Sequence, residues 1–357
     1  MPNLFTPRAI LVTGGAGFIG ANFINHFLPE NPGCRVVNLD MLTYAGNLKN
    51  LTGVEKEPAY RFVRGDICDA ELVADILHGE RIEAVLHFAA ESHVDRSIAG
   101  PEIFVRTNVL GTQVLLEESR KYMEKRQADA FRFLQVSTDE VYGSLGQQGF
   151  FTEETPLAPN SPYSASKAGA DLLVRAYRET YGFPTLNTRC SNNYGPYQFP
   201  EKLIPLIMRN IMGKRALPVY GDGLNVRDWL HVKDHSAAIE TVLKKGRPGA
   251  VYNIGGNNEW RNIDIVNLIC DLLDGKLGRS AGENRRLIAF VKDRPGHDRR
   301  YAIDAAKIKR ELGWEPSYTF ERGIAETIDW YLENQEWVAE VTSGAYREYY
   351  EKQYSER

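Results

Sequence analysis

The sequence has few cysteines, no long apolar run and no large excess of charge of one sign. Its four cysteines, Cys34, Cys68, Cys190 and Cys270, are spread over 357 residues and form no CxxC pair. This spacing indicates neither a zinc site nor a disulfide framework, so we expect reduced, mostly buried thiols and no bound metal. A formal net charge of -4 gives no sign of the excess positive charge that binds nucleic acid or an anionic membrane, which favours a small-molecule partner.

No apolar run approaches the roughly 20 residues of a membrane span. The start, Met1 to Arg8, lacks the charged and apolar regions of a signal peptide, so the cytoplasm is the default location. With 43% hydrophobic residues, the chain is long enough for two domains or for one large domain with a lobe.

The first recognisable unit is a strand, a glycine turn and a helix. The buried strand Ala9–Thr13 runs into Gly14, Gly17 and Gly20, whose spacing lets the backbone turn tightly and approach a pyrophosphate. A second strand ends at Asp40, about 20 residues beyond the last glycine, where a carboxylate can bind both ribose hydroxyls. Because a carboxylate repels a 2′-phosphate, the pattern favours NAD over NADP. The alternative is an ordinary tight turn with a surface aspartate.

Strands and helices alternate through the first half of the chain. Further strands are predicted at 60–64, 84–88, 131–136 and 185–189, with helical segments between them. This alternation predicts an α/β fold with a Rossmann-type, doubly wound parallel sheet and a smaller C-terminal substrate-binding lobe. Residues 1–190 would form the NAD-binding domain, with returning segments near 226–256, including a strand at 251–254. Residues 191–357 would form mainly the lobe, ending in a helical tail from Trp330 to Tyr354 that serves packing.

Two adjacent carboxylates, Asp139 and Glu140, follow the strand at 131–136. Neighbouring residues of a strand point to opposite faces, so both can serve one substrate only if the chain turns or becomes helical there. Crowding drives their pKa values apart, leaving one protonated and one ionised near neutrality, which suits acid and base catalysis. The alternative is a capped helix start with solvated acids.

Ser161-Pro162 introduces a long helix in which Tyr163 and Lys167 are four residues apart. They share a helix face, so the ammonium can lower the tyrosine pKa from about 10 and make tyrosine a usable base. The alternative is a solvated helix face. Another helix is predicted from Phe104 to Arg126.

Other polar residues allow two interpretations each. Asp66 could contact the adenine, or it could belong to a helix N-cap near Asp69. His93 fits a loop hydrogen-bonding role better than a catalytic one. Arginines and aromatics recur in segments predicted as loops, at 192–197, 218–223, 225–229 and 293–300. They could grip a diphosphate and a base, or form surface ion pairs.

Several motifs together resemble a known family. They are Gly14 to Gly20, Ala90 to Ser97, Thr138-Asp139-Glu140, Tyr163 to Lys167, Asn192 to Pro196, Arg227-Asp228-Trp229 and Asp293 to His297. The chain resembles the extended short-chain dehydrogenase/reductases, the NAD-dependent epimerase/dehydratase family, and within it the nucleotide-sugar 4,6-dehydratases, over nearly its whole length. Related epimerases and decarboxylases share the glycines and the Tyr/Lys pair but usually lack the adjacent Asp-Glu.

The resemblance implies a lyase that converts dTDP-glucose to its 4-keto-6-deoxy derivative plus water. Tyr163, assisted by Lys167, would remove the 4-hydroxyl proton while hydride passes from C4 to NAD. Glu140 would then remove the C5 proton, Asp139 would protonate the departing 6-hydroxyl, and the hydride would return to C6. Thr138 would hydrogen-bond the oxygen at C4.

The resemblance also implies two sets of binding residues and a partner chain. NAD would be bound by Gly14, Gly17, Phe18, Ile19, Gly20, Asp40, Met41, Leu42, Thr43, Asp66, Ile67, Phe88, Ala89, Ala90, Ser92, Thr107, Tyr163, Lys167 and Asn193. The nucleotide sugar would be bound by Ser92, Thr138, Asn192, Lys202, Leu203, Pro218, Val219, Tyr220, Arg227, Asn262, Asp293, Arg294, Pro295, Gly296 and His297. The chain would form a homodimer through the two long helices that begin near Phe104 and Tyr163.

Other functions compete with this one. An NAD-dependent nucleotide-sugar epimerase or decarboxylase needs the Tyr/Lys pair but not both acids. A dehydratase could use another nucleoside diphosphate glucose. A nucleotide-sensing protein could keep the fold without the chemistry, although Tyr163 and Lys167 are intact.

Overall fold

A computed structural model of the chain describes residues 4–126 and 130–343, so the part of the predicted helical tail beyond residue 343 lies outside the described residues. The strands are β1 Ala9–Thr13, β2 Arg35–Asp40, β3 Tyr60–Arg64, β4 Ala84–His87, β5 Arg132–Thr138, β6 Thr185–Cys190, β7 Asn192–Tyr194, β8 Leu217–Tyr220, β9 Val226–His231, β10 Val251–Ile254, β11 Glu259–Arg261 and β12 Ile288–Val291. The α-helices are α1 Phe18–Glu30, α2 Ala70–Gly79, α3 Val94–Ala99, α4 Glu102–Phe104, α5 Gly111–Arg126, α6 Pro162–Tyr181, α7 Leu203–Met212, α8 Val232–Lys245, α9 Asn262–Lys276, α10 Ala306–Leu312, α11 Phe320–Glu333 and α12 Gln335–Val341. In the described part of the chain, no helix is long and apolar enough to cross a membrane, and no group of three or more His, Cys, Asp or Glu is placed to hold a metal.

Seven parallel strands form the main sheet in the order β10-β6-β5-β4-β1-β2-β3. Every strand predicted for this sheet is present, with ends shifted by one or two residues at most. From β1 the chain winds outward to β2 and β3 on one side and to β4, β5 and β6 on the other. The Rossmann-type, doubly wound fold is therefore confirmed, and open sheets of this kind bind ligands where the winding reverses.

Alternate residues of the central strands fill two hydrophobic cores, one on each face of the sheet. In β1, Ile10 and Val12 pack with α1 and α8, whereas Leu11 packs with α2, α5 and α6. These strands are therefore apolar on both sides, as parallel sheets covered by helices require. The cores hold the carboxyl ends of the strands in register at one edge.

The two long helices beside the site begin as predicted, and one of them is irregular. Between α4 and α5 the chain makes a π-helical turn, Val105–Leu110. The side chain of Asn108 in this turn donates to Ser166 on α6 at 2.8 Å and exchanges hydrogen bonds with the backbone of Glu91 at 2.9 Å. The π turn therefore fixes the loop that follows β4, which lies at the edge where ligands bind.

The lobe has its own core and two small sheets, in the orders β11-β9-β7 and β12-β8. Three segments predicted as loops are therefore partly strands, because 192–197 contains β7, 218–223 overlaps β8 and 225–229 overlaps β9. Their pairing partners are distant in sequence, since Asn192 pairs with Trp229 and Val219 with Phe290. The segment 293–297 lies outside the helices and strands, as predicted. The proposed division at residue 190 stays a prediction, although β10 does join the main sheet.

Candidate active site

A cleft of about 560 Å³ opens at the carboxyl ends of β1, β2, β4, β5 and β6. All five predicted catalytic residues line it. So do all the predicted cofactor residues except Leu42, together with Ser92, Thr138, Asn192 and Lys202 from the predicted substrate set. The glycine turn, the Thr-Asp-Glu motif and the Tyr/Lys pair therefore meet in one cavity, of a size typical of small-molecule sites.

The glycine turn between β1 and α1 lies against this cleft. Gly14 has φ +72°, and a Cβ there would lie 2.5 Å from the backbone nitrogen of Ala89. A Cβ on Gly20 would lie 2.3 Å from the carbonyl oxygen of Gly14. Gly17 is the N-cap of α1 and makes no side-chain capping bond. The first N–H groups of the helix are therefore not capped by a side chain and suit an anionic ligand.

Asp40 ends β2 beside the glycine turn. One carboxylate oxygen accepts from Ala16 N at 2.9 Å and the other from Leu42 N at 2.8 Å. Burial raises the pKa of Asp40, and these two hydrogen bonds act against that rise. Each oxygen keeps further acceptor capacity for a ribose hydroxyl. Leu42, at φ +56°, supports this turn with its main chain, and its side chain does not line the cleft.

Asp69, and not Asp66, is the helix N-cap, and the adenine contact of Asp66 stays a prediction. Asp69 caps α2, since its side chain accepts from Leu72 N at 3.1 Å. Asp66 lines the cleft and pairs with Arg106 at 3.1 Å. Partial burial raises the pKa of Asp66, but hydrogen bonds from Cys68 N–H and Arg106 outweigh it and lower that pKa. The carboxylate in the cleft is therefore not the helix cap.

The acid pair begins a short 3₁₀ helix, Asp139–Tyr142, directly after β5. This is the turn that the sequence required, and Thr138 caps it by accepting from Glu140 N at 3.3 Å. Asp139 is 1% exposed, and its burial, followed by the charges of Glu140 and Asp228, raises its pKa well above 3.8. Burial also raises the pKa of Glu140, while the positive charges of Arg294, Lys202 and Arg227 oppose that rise. Burial and the neighbouring negative charges thus favour the protonated form of Asp139.

Tyr163 and Lys167 are buried on α6, which excludes the solvated helix face. The helix starts where predicted, with Ser161 and Ser164 forming a capping box and Pro162 in the first turn. Lys167 donates to the carbonyl oxygen of Val136 at 2.8 Å, and burial lowers its pKa.

The predicted lowering of the Tyr163 pKa by Lys167 stays a prediction, because other influences dominate that pKa in the protein alone. Burial is the largest influence on the Tyr163 hydroxyl, and with the negative charge of Glu140 it raises that pKa well above 10. A hydrogen bond with Thr138 acts in the opposite direction. The hydroxyl is therefore protonated until a ligand brings positive charge or a further hydrogen bond to it.

The remaining predicted substrate residues do not line this cavity. They are Leu203, Pro218, Val219, Tyr220, Arg227, Asn262, Asp293, Arg294, Pro295, Gly296 and His297. Leu203 begins α7, and Asn262 begins α9. Val219 is 1% exposed in the lobe core and therefore presents almost no surface to a ligand. The binding roles of this whole set stay predictions.

Arginine side chains of the lobe differ in burial. Arg227, on β9, is 4% exposed, donates to the carbonyl oxygen of Asp298 at 2.8 Å and lies over the ring of Tyr301 at 4.1 Å. In contrast, Arg299 forms an exposed pair with Asp222 at 2.8 Å. The surface-pair interpretation therefore holds for Arg299 and fails for Arg227.

Two other predictions concern groups near the cleft. His93 is buried at the start of α3 and hydrogen-bonds to the backbone of Glu201, which is the predicted structural role. All four cysteines are free thiols, and Cys34, Cys190 and Cys270 are buried. Cys190 lines the cleft, where burial raises its pKa to about 12 and keeps the thiol neutral.

Residues 11–327 match the family model described as GDP-mannose 4,6 dehydratase. A dTDP-glucose 4,6-dehydratase of Xanthomonas campestris pv. campestris is 61% identical over 94% of this chain and 97% of its own length. The chain belongs to the dTDP-glucose 4,6-dehydratase family. An Escherichia coli member is 54% identical over 94% of this chain and 97% of its own length.

Solved structures agree with the membership in the dTDP-glucose 4,6-dehydratase family. The Bacillus anthracis enzyme, solved in complex with NAD, matches with a TM-score of 0.84 and 52% identity, over 94% of this chain and 99% of that chain. DesIV of Streptomyces venezuelae, solved with NAD and TYD bound, matches with a TM-score of 0.85 and 50% identity, over 92% of this chain and 98% of that chain. A UDP-glucose 4-epimerase of Thermotoga maritima shares the fold at a TM-score of 0.80 and 29% identity, over 92% of this chain and 99% of that chain.

The structure adds cleft residues that the sequence did not single out. In this member of the dTDP-glucose 4,6-dehydratase family they include Arg106, Gln198, Phe199 and Glu201. Glu201 directly precedes the predicted ligand Lys202, and its buried carboxylate pairs with Arg96 at 3.1 Å. Its position next to a predicted ligand was the available signal, but its ion-pair partner is 105 residues away and could not be read from spacing.

Proposed function

We propose that the chain is an NAD-dependent dTDP-glucose 4,6-dehydratase, which forms dTDP-4-keto-6-deoxy-glucose and water. The observation that carries the proposal is the meeting of Asp139 and Glu140 with Tyr163 and Lys167 in one cleft beside a glycine turn. An epimerase on the same fold requires the tyrosine and lysine but has no use for a second, protonated acid. Relatives between 50% and 61% identical carry the name of this dehydratase.

The residues of the cleft fit NAD. The uncapped start of α1 and the close backbone approach at Gly14 suit a pyrophosphate. Among the described residues, the buried oxygens Ser137 Oγ, Asn192 Oδ1 and Gln198 Oε1 have no hydrogen-bond partner, and polar ligand groups would satisfy them. When bound, NAD supplies a hydride acceptor that becomes a donor later in the same turnover, so the reaction has no net redox change.

In the oxidation step, Tyr163 takes the proton of the sugar 4-hydroxyl at its phenolic oxygen. Thr138 hydrogen-bonds to this oxygen and moves its pKa in the direction that favours the base. Lys167 lies one helical turn away and is held in place by its hydrogen bond to the carbonyl oxygen of Val136. These three residues control the proton that must leave as C4 becomes a ketone.

In the elimination step, Glu140 removes the proton at C5, which the neighbouring ketone acidifies. Asp139 gives its proton to the 6-hydroxyl as the C6–O bond breaks, and water leaves. Glu140 returns a proton to C5 as the hydride returns to C6. The buried, protonated state of Asp139 equips it as the acid. The cations around Glu140 keep it available as the base.

Three basic side chains are proposed to hold the diphosphate of the substrate. Lys202 lines the cleft, and Arg227 and Arg294 are near enough to oppose the pKa rise of Glu140. A planar guanidinium can grip two phosphate oxygens at once. Arg227 is held on β9 rather than on a loop, which supports a fixed position for this contact.

A homodimer and a cytoplasmic location are also proposed. Apolar side chains stay exposed on the two long helices and the turn between α4 and α5: Ile103, Val105, Leu110 and Leu172 are between 47% and 56% exposed. An exposed apolar stripe of this kind is typical of an interface. Light scattering on the purified protein should give twice the mass of one chain, and a monomer would remove the dimer proposal.

One assay tests the enzymatic function. The purified protein is incubated with dTDP-glucose without added reductant, and the product is followed by mass spectrometry. We expect the sugar nucleotide to lose one water. An unchanged mass with a changed sugar configuration would support the epimerase, and no reaction would support a binding protein. Parallel assays with UDP-glucose and CDP-glucose test the choice of base.

A further inference from the structure

We propose that Tyr44, Arg96 and Glu201 form a clamp that retains NAD by fastening the strap, residues 41–47, across the side of the cleft. The inference rests on the proposed function for the identity of the cofactor. The strap follows β2, and its residues Met41, Thr43, Ala45 and Gly46 line the cleft beside Asp40. None of the three clamp residues belongs to the catalytic set.

The clamp joins three separate parts of the chain at one carboxylate. The Tyr44 hydroxyl on the strap donates to Glu201 Oε1 at 3.0 Å, and Arg96 Nε on α3 donates to Glu201 Oε2 at 3.1 Å. The Arg96 guanidinium also lies over the Tyr44 ring, 3.9 Å from its centroid. Phe199 meets the ring edge-on at 5.6 Å. Each pair of the three residues is therefore in direct contact.

The chemistry of these contacts favours a lasting closure. The side chain of Glu201 is 2% exposed, so its bonds to Tyr44 and Arg96 are shielded from water. Burial and the charges of Glu201 and Glu91 raise the pKa of Tyr44 well above 10, which keeps its hydroxyl a donor. A carboxylate that accepts one bond on each oxygen holds both partners in a fixed geometry.

The strap has space on both sides. Its inner side borders the cleft, and its outer side borders a second cavity of about 360 Å³, lined by Tyr44, Ala45, Gly46, Asn47 and residues of the lobe that include Trp337. The ends of the strap are fixed, since Leu42 N donates to Asp40 and Asn47 N donates to the carbonyl oxygen of Ala16. Between these ends, Tyr44 provides the side-chain link to the lobe. Without that link, the middle of the strap has room to move outward and open the cleft.

Retention suits this reaction because the same cofactor must accept and then return the hydride. A cofactor lost between the two steps would leave a ketone intermediate in the site. The clamp therefore affects the time for which NAD stays bound, whereas Tyr163, Asp139 and Glu140 carry out the chemistry.

The test measures NAD retention in full-length variants without substrate. Tyr44→Ala removes the hydroxyl and the ring, whereas Tyr44→Phe removes only the hydroxyl. We expect NAD to dissociate at least about tenfold faster from Tyr44→Ala, with Tyr44→Phe in between, because one or both links to the lobe are lost. NAD per chain is quantified after timed gel filtration, and the NAD concentration for half-maximal activity should rise more than kcat falls.

Tyr60→Phe is the matched control, because it removes a tyrosine hydroxyl that accepts from Asn38 at 2.9 Å and lies outside the clamp. It should retain NAD like the wild type. Arg96→Lys keeps the charge without the planar guanidinium and provides a second route if Tyr44→Ala does not fold; it should also release NAD faster.

Wild-type retention in both Tyr44→Ala and Arg96→Lys would overturn the clamp. Equal losses in Tyr44→Phe and Tyr60→Phe would also overturn it, because they would indicate general destabilisation. Retention is read without substrate, so it remains informative if the dehydratase assay fails. A chain that never binds NAD would instead refute the proposed function.

Discussion

Replacing Glu140 by glutamine should separate the oxidation from the elimination. The change keeps the size of the side chain and removes its charge and its ability to accept the C5 proton. Tyr163, Lys167 and the glycine turn stay intact, so the sugar should still reduce the bound NAD. The reaction should then stop at the 4-keto sugar. The 3₁₀ helix after β5 begins with two carboxylates, Asp139 and Glu140, and Asp139 serves as the acid, so no base remains there.

The size of the effect follows from the role of a general base. Loss of such a base costs about 10²- to 10⁴-fold in rate. This corresponds to about 2.7–5.4 kcal/mol in the activation barrier. We expect the upper part of that range, because Glu140 is partly buried and a replacement base has little access. Substrate binding should not weaken, because Arg294, Lys202 and Arg227 lose a competing negative charge and face the diphosphate alone.

Two measurements check this prediction. Reduced nicotinamide absorbance should accumulate on the enzyme after dTDP-glucose is added, and solvent deuterium should no longer enter C5. Glu124→Gln, the same substitution on an exposed residue of α5, is the control and should behave like the wild type. Product formation at the wild-type rate by Glu140→Gln would refute the assignment, and so would a variant that cannot reduce its NAD.

Three further predictions concern the same cleft. Tyr163→Phe keeps the ring contact with Phe104 at 6.3 Å but should lower the rate of NAD reduction by about 10²- to 10⁴-fold, and rapid reduction after mixing with substrate would contradict its role as base. The plot of kcat/KM against pH should be bell-shaped. It should rise through the pKa of Glu140, which burial raises above 4.5, and fall through the more strongly raised pKa of Asp139. An acid limb with a pKa at or below 4.5 would argue against this assignment. Folding raises the pKa of Asp139, so the stabilising contribution of this residue is complete below pH 3.8 and is lost as the pH rises through the raised pKa. Asp139→Asn should therefore need more urea to unfold than the wild type at neutral pH. A lower urea midpoint for the variant would count against a buried, costly carboxylate.

The main sheet could be predicted from the sequence because its signals are local. Each strand is a short apolar run, and the buried pattern of β1 shows why both faces had to be apolar. The start of α6 was equally local, since Ser161 and Pro162 form its cap and first turn. The adjacent acids required a turn after β5, and the 3₁₀ helix supplies it.

The lobe was harder to predict because its strands are short and polar. Strand β9 carries Arg227 and Asp228, which were predicted to lie in a loop but are buried because β9 pairs with β7 and β11. The raised pKa of Tyr163 also escaped prediction, because helical spacing identifies Lys167 as a neighbour but gives no measure of burial. The link from Tyr44 to Glu201 spans 157 residues and has no local signal.

Helix α3 has six residues, and two consecutive residues on it, Asp95 and Arg96, contact two different proposed binding sites. Asp95 accepts from the Tyr220 hydroxyl at 3.0 Å and lies 3.8 Å from the Arg294 guanidinium, both in the proposed nucleotide-sugar site. Arg96, the next residue, holds the strap. A shift of this one short helix would therefore change the binding of the cofactor and of the sugar nucleotide together. Thermodynamic linkage then requires reciprocity: if the sugar nucleotide changes the affinity for NAD by some factor, NAD changes the affinity for the sugar nucleotide by the same factor.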